Sequence, residues 1–474
     1  MSLKYYVFII LWILNIQFCN NHLFAKGDKG WTVIIFMNAN NDLVEYAELD
    51  IRELMGLSGY ENVNVIFQIS RYEGQGNCGL PWKGNYRFEL HKGEDICPNE
   101  SFKLKEGLSK KQMLEDLINW TKLKYKPDDN RYLLVLWDHG NKWVKPKNLG
   151  FDKYDELITK FYEEYINQLD SLNICSNPRT ERYDLSKIFK RKEKDSFESG
   201  LSESFSLNTV FASPNQNLLT LGDVQEVIDT GSLDIIAFDA CLMGTMETAY
   251  SLRDKAKVMI ASEELVPGCG WNYNELLKKI MKYPLIDEMK LTKEIVSLYK
   301  TEYNSFKNVS LSALNLEYYQ PLHESLNQLS LDLIKYLEHN DKFVLTAIQK
   351  ARKKCRSYGR DKYAVASIDL SFFCRNLYNE LSSDLRYRSI CSELMQIIQL
   401  ISNDLVYGEF SKHSGQGSKG VAIYFPPLDV HYEELVDEYI EERTNQGVFV
   451  VPFILETKWD NFLRIYNEKR KDYL

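Results

Sequence analysis

A chain of 474 residues, 44% hydrophobic and 26% charged, has room for about three domain-sized units and the balance of a soluble globular protein. Its formal net charge of -9 argues against a general nucleic-acid binder and suits a cationic partner better than an anionic one. Nine cysteines include no Cys-x-x-Cys pair, which disfavours a zinc ribbon or a thioredoxin-type site.

The N-terminus opens with Lys4, an apolar run over residues 5–14 extended by Ile16 and Phe18, and a polar stretch leading to Ala25. That order reads as an export signal over residues 1–25, cleaved after a small residue. The run is shorter than the ~20 apolar residues a membrane span needs. No second long apolar run follows, so the expected mature chain is exported, secreted or at the cell surface or periplasm, with no stable span. A retained interfacial anchor is the alternative reading.

Residues 31–37 and 63–69 are apolar, β-branched runs that predict buried strands, with a helical pattern over 43–54 between them. A glycine-rich loop at 74–79 and an alternating strand at 85–91 follow, and Cys78 and Cys97 flank this hairpin closely enough to pair in an oxidising compartment. Ser109 predicts an N-cap for a helix carrying Met113, Leu117 and Trp120 on one face. Residues 132–137 form the next buried strand, which ends at Asp138-His139-Gly140. Strands alternating with helices predict a parallel sheet covered on both faces.

Residues 144–207 interrupt that rhythm with one amphipathic helix and a polar, charged tract containing Lys190-Arg191-Lys192. A long irregular insertion is either functional or disordered, and the plain reading of its basic run is a solvated loop. The alternation resumes with a strand at 209–212, a helix capped by Thr220, a strand at 234–239, a helix over 242–252 and a strand at 257–261. Helices are predicted at about 287–304, 318–338, 341–356 and 383–406, with strands at 309–314, 363–370 and 420–425 and a last helix holding Trp459, Phe462 and Ile465. The expected organisation is a core over 26–283, with the insertion at about 144–207, and an α/β part over 284–474 completing or packing on it.

Chemistry concentrates at two strand ends. His139 closes one predicted strand and Cys241 another. On neighbouring parallel strands they rise from one sheet edge, where an imidazole and a thiol can act as base and nucleophile. A helix starting just after Cys241 would favour the thiolate through its dipole. The N–H groups of Gly140 and Cys241 offer an oxyanion site. Asp239, two residues before the thiol, offers a carboxylate for a cationic side chain. Each residue alone has a plainer reading: core cysteine, surface histidine, helix-capping aspartate. Their joint placement carries the functional one. The spacing of Asp138, His139 and Asp239 matches no standard metal pattern, so no metal site is expected.

The motifs Leu136-Trp137-Asp138-His139-Gly140 and Phe238-Asp239-Ala240-Cys241-Leu242-Met243-Gly244 resemble those of the clostripain-type cysteine peptidases. Ser262-Glu263-Glu264, the loop Pro267-Gly268-Cys269-Gly270-Trp271 and residues 420–426 resemble that family too, so the similarity runs from about Trp31 to Phe462. The resemblance implies a caspase-like α/β sandwich with a largely parallel central sheet flanked by helices, and a helix-rich C-terminal part packed on it. It implies a Cys–His dyad: Cys241 as nucleophile, His139 as general base and acid, Gly140 in the oxyanion hole. Asp239 becomes the base of a pocket for Arg or Lys, with Ser262, Glu263 and Glu264 as further substrate-binding candidates. Family members are often zymogens that cut themselves between the two motifs, which gives Lys190, Arg191 and Lys192 a second reading as a self-cleavage site. No cofactor is required, and calcium enters through the resemblance alone, since no EF-hand loop is present.

Two residues depart from the family pattern. Lys142 stands where glycine is expected, and Cys269 where Arg-specific relatives tend to have an acid. The function expected is an exported, self-processed, monomeric endopeptidase cleaving protein or peptide substrates after Arg or Lys through a thioester. Its rivals are a catalytically silent surface or binding protein of the same fold, favoured by those two departures, and a transpeptidase using the same dyad.

Overall fold

The computed structural model describes residues 29–41, 43–57, 63–75, 81–90, 103–140, 209–211, 219–358, 367–413, 417–426, 441–444 and 447–471. The segment 1–25, the Lys190-Arg191-Lys192 run, Lys142, Cys78 and Cys97 lie outside them.

An eight-stranded sheet organises the chain. In chain order its strands are β1 (Gly30–Ala39), β2 (Val63–Gln75), β3 (Pro81–Glu89), β4 (Asn130–Trp137), β5 (Leu233–Asp239), β6 (Ala256–Ala261), β7 (Val309–Asn315) and β8 (Val406–Lys412). Their order across the sheet is β8-β7-β6-β5-β4-β1-β2-β3. The five central strands β6, β5, β4, β1 and β2 run parallel, while β3 on one edge and β7 and β8 on the other pair antiparallel.

The apolar runs explain why those central strands are parallel and buried: alternate residues feed two separate cores. In β1, Trp31, Val33, Ile35 and Met37 pack on one face, and Ile34 and Phe36 on the other. The first face is covered by α1 (Val44–Met55), α2 (Tyr273–Lys282) and α3 (Glu288–Tyr303). The second holds the Lys110–Lys124 helix and the C-terminal helices, among them Tyr319–Glu338, Lys342–Lys354 and Trp459–Lys471. Because β7 and β8 join the same sheet, the C-terminal part continues the sheet rather than standing apart from it.

Local signals hold where they are chemical. Ser109 caps its helix in a capping box with Gln112, and Thr220 does the same with Asp223. Three expectations change. The helix expected over 242–252 is only Met246–Ser251, because Leu242 takes a positive φ of 61° and the chain turns before Thr245 caps it. The helix expected over 383–406 is a 3₁₀ turn, the helix Arg388–Leu400 and a π turn that hands over to β8. The strand expected at 363–370 is described only as Ser367–Asp369, which pairs with Ala422–Tyr424.

Candidate active site

The sheet topology brings the two motifs together. β4 and β5 are parallel neighbours, and their register sets Trp137 opposite Asp239. His139 and Cys241 each follow two residues later, at one level of the carboxyl edge. The strand order reverses between β4 and β1, and such reversals are where open α/β sheets collect ligands. A cavity of about 60 Å³ opens there, lined by His139, Cys241, Asp239 and Trp137 from the strand ends, and by Tyr46 at the start of α1. The loop Leu265–Gly268 and Gly270 close its far side.

The two strand ends touch through backbone. A Cβ on Gly140 would lie 1.9 Å from the Cys241 carbonyl oxygen and 2.6 Å from its nitrogen, so only glycine fits. Asp138, beside the histidine, is buried and clamped. Its carboxylate accepts from Asn38 Nδ2 at 2.5 Å, from Asn41 Nδ2 at 2.6 Å and from the His139 N–H at 2.6 Å. Burial still raises its pKa to about 7, against the opposing pull of His139 and those donors.

The thiol is held between strands. The Val266 N–H donates to Cys241 Sγ at 3.2 Å, and Sγ lies 3.8 Å from the Val266 carbonyl. Burial pushes the Cys241 pKa up to about 11; the carboxylates of Glu264 and Asp239 add to the rise, and the Val266 and Gly140 N–H groups oppose it. The dipole expectation therefore fails. The helix after Cys241 begins at Met246 and has six residues, too far and too short to govern the thiol.

Asp239 belongs to the α1 face of the sheet, as its parity with Ile235 and Ala237 dictates. Its Oδ2 accepts from the Trp271 N–H at 3.0 Å and from the Tyr273 hydroxyl at 2.9 Å. Its Oδ1 is buried and has no hydrogen-bond partner among the described residues. Desolvation raises this acid to about 7, with the two donors pulling the other way. Gly270, at φ +58°, allows the loop to close over it; a Cβ there would sit 2.6 Å from Oδ2.

Residues 35–172 and 209–466 match the model of the clostripain family. The chain belongs to that family. It is 23% identical over 272 residues to clostripain of Hathewaya histolytica, a match covering 52% of this chain and 42% of that protein, so it spans less than half of the curated relative's length. The fold is similar to an inactive zymogen C11 protease from Parabacteroides distasonis, with a TM-score of 0.53 at 15% identity, over 93% of this chain and 99% of that one. It is also similar to a secreted C11 cysteine protease from Bacteroides thetaiotaomicron in complex with an irreversible peptide inhibitor, with a TM-score of 0.52 at 14% identity, over 91% and 99%. At such identities the likeness is one of fold: the caspase-like sandwich of the C11 proteases.

The remaining candidates of this clostripain-family chain lie behind the thiol rather than around the cavity. Ser262, Glu263 and Glu264 are buried at the end of β6. Ser262 Oγ donates to the Glu264 carbonyl at 2.7 Å, and Glu263 Oε2 accepts from the Gly420 N–H at 3.1 Å. The Glu264 carbonyl accepts from the Leu242 N–H at 3.1 Å, and the Ser262 carbonyl from the Gly244 N–H at 2.8 Å. These bonds hold the turn that follows Cys241. The Glu264 carboxylate is fully engaged, by the Leu265 N–H at 3.2 Å and by Arg356 Nη2 at 3.0 Å.

Cys269, in the cavity loop, is disulfide-bonded, and its partner lies outside the described residues. Cys241, Cys355, Cys374 and Cys391 are free. Among the described residues, no group of three or more His, Cys, Asp and Glu side chains is arranged to hold a metal ion. No described helix is long and apolar enough to cross a membrane. Tyr273, Val266, Arg356 and Asp50 escaped the sequence reading. Tyr273, Val266 and Arg356 make contacts that only the fold creates, and helical spacing places Asp50 on the stripe of Leu43 and Tyr46 without showing its burial.

Proposed function

We propose that this chain is an exported cysteine endopeptidase that cleaves after Arg or Lys. The observation that carries the reading is one cavity walled by His139, Cys241 and Asp239, whose buried Oδ1 has no hydrogen-bond partner among the described residues. The basic side chain of the substrate enters toward Asp239. His139 takes the proton from Cys241 Sγ as the sulfur attacks the scissile carbonyl. The oxyanion is held by the N–H groups of Gly140 and Cys241, a site where losing one donor typically costs ~3 kcal/mol of transition-state stabilisation. His139 then protonates the leaving amine, and water hydrolyses the thioester.

A thiol at about 11 is protonated at neutral pH, so the resting enzyme depends on His139 at the moment of attack rather than on a stored thiolate. A similar C11 protease from Parabacteroides distasonis is an inactive zymogen, and this chain is read in the same way as one that matures by cutting itself, with Lys190, Arg191 and Lys192 as the candidate positions. The test is turnover of reporter peptides bearing Arg, Lys, Asn or Asp, by wild type and Cys241→Ala. Turnover confined to basic reporters and abolished in the variant is expected; equal turnover by both proteins overturns the mechanism. Products formed with an added amine acceptor separate hydrolysis from transpeptidation. Incubated wild type is expected to yield two fragments and Cys241→Ala one.

A further inference from the structure

The cavity has a second, hidden acid. Leu43 and Tyr46 of α1 line the cavity, and Asp50 follows Tyr46 by four residues on the same helical stripe. Its side chain is buried, with the residue 1% exposed, and among the described residues neither carboxylate oxygen has a partner at ordinary hydrogen-bond geometry. Its polar neighbour is the Trp137 side chain, itself part of the cavity wall. The charged groups facing it are Glu53 on its own helix and Asp239 on β5, both acids. Glu53 is occupied: its Oε2 accepts from the Tyr273 N–H at 2.9 Å.

A buried carboxylate without a cation is among the costlier groups a fold can carry, and a second acid beside it raises that cost. Proteins keep such groups where a ligand supplies the missing charge. Here the loop opposite, residues 265–271, carries no acid, and its Cys269 is disulfide-bonded. The acid comes from α1 instead.

We propose that Asp50 is a specificity-determining residue, the second anion of the pocket, balancing from behind Asp239 the charge of a basic substrate side chain. It acts by its charge across the shared cavity wall rather than by lining the cavity. In the empty enzyme burial and its acidic neighbours hold the Asp50 pKa well above the ordinary carboxyl value, which favours its neutral form. When a guanidinium or ammonium seats against Asp239, Asp50 ionises and its proton leaves to solvent. The inference rests on the basic-substrate reading above and has its own test.

The experiment compares kcat and KM for one reporter peptide ending in Arg with its near-isosteric, neutral citrulline counterpart, using the active full chain. Wild type, Asp50→Asn and Asp239→Asn are assayed between pH 6 and 9, with thermal melts alongside. Asp50→Asn is expected to lower the Arg-to-citrulline ratio of kcat/KM at least tenfold, mainly through KM, with a melting temperature at pH 8 no lower than wild type. Asp239→Asn is expected to keep a residual Arg preference that fades as the pH drops and Asp50 protonates. Wild-type selectivity with an unchanged ratio in Asp50→Asn, both reporters falling together with the melting temperature, overturns the role of Asp50 alone. A wild-type ratio near one overturns the basic-substrate reading and this inference with it. If Asp50→Asn does not fold, Asp239→Asn decides: no residual preference at any pH overturns the inference.

Discussion

Two carboxylates flank Cys241, and they are treated in opposite ways. Glu264, at the end of β6, is 1% exposed and saturated: a backbone N–H holds one oxygen and Arg356 the other. Asp239, at the end of β5, is 4% exposed and half satisfied, with two donors on Oδ2 and none on Oδ1. Both raise the thiol pKa. The difference teaches what each is for. Glu264 completes the scaffold that shapes the turn after Cys241, and Arg356 supplies its cation. Asp239 lines the cavity, and no described residue supplies it with a cation. An acid left incomplete at a cavity wall is a place for a ligand, whereas an acid completed behind it is architecture.

The largest expected effect removes the chemistry that both acids surround. Cys241→Ala or His139→Ala is expected to lower kcat by ~10⁴-fold or more, read as reporter turnover. Gly140→Ala comes next. Its Cβ would drive into the Cys241 backbone, so activity is expected to vanish and unfolding free energy to fall by ~2 kcal/mol or more in denaturant titrations. An active, equally stable Gly140→Ala would show that the two strand ends do not abut as described.

Asp239→Asn probes the incomplete acid twice. KM for Arg substrates is expected to rise at least tenfold. Stability should move the other way. The folded-state pKa of about 7 lies above the ordinary 3.8, so the folded state binds this proton more tightly than the unfolded chain. The acid is then harmless below about pH 4, its penalty grows as the pH rises toward 7, and it is fully expressed at pH 8. Asparagine removes that penalty, an effect on the order of 1–3 kcal/mol at pH 8, measurable as a melting-temperature gain that fades at pH 4. In wild type the same proton makes KM for basic substrates rise as the pH falls below about 7.

Much of this was legible from the residues. Buried apolar runs marked β1, β4 and β5, and Asp138-His139-Gly140 and Asp239-Ala240-Cys241 at the ends of the last two are the candidate-site motifs that the sheet brings side by side. The turn after Cys241 was not, because a leucine at φ +61° leaves no mark in a helical pattern that continues through Met246 and Ala249. β8 was overlooked because it is an edge strand with one buried hydrophobe, Phe410, and a polar alternation that merges with the preceding helix. Asp50 lay inside a well-patterned helix. Its spacing from Tyr46 is visible in sequence, but the burial of its carboxylate beside two other acids, with no cation among the described residues, is a property of the packed fold.

The completed acid offers smaller effects. Arg356→Gln leaves the buried Glu264 carboxylate without its cation, and is expected to shift the pH midpoint of Cys241 alkylation upward. Stability should fall by ~1–3 kcal/mol, less than for a fully buried pair because the guanidinium is partly exposed. Glu264→Gln is expected to move the same midpoint down. Opposite signs, or no shift in either, would separate Glu264 from the thiol. Tyr273→Phe, which removes one of two donors from Asp239, is the mildest: ~1 kcal/mol in kcat/KM for Arg substrates.

The most direct measurement is site-resolved labelling by a peptidyl electrophile ending in Arg, matched against its citrulline counterpart, with the modified residue located by mass spectrometry among the nine cysteines. Labelling confined to Cys241, much faster with Arg, and lost in His139→Ala is the predicted result. Labelling spread over several cysteines, or proceeding at equal rates with both electrophiles, would contradict a Cys–His peptidase whose pocket is built for a cation.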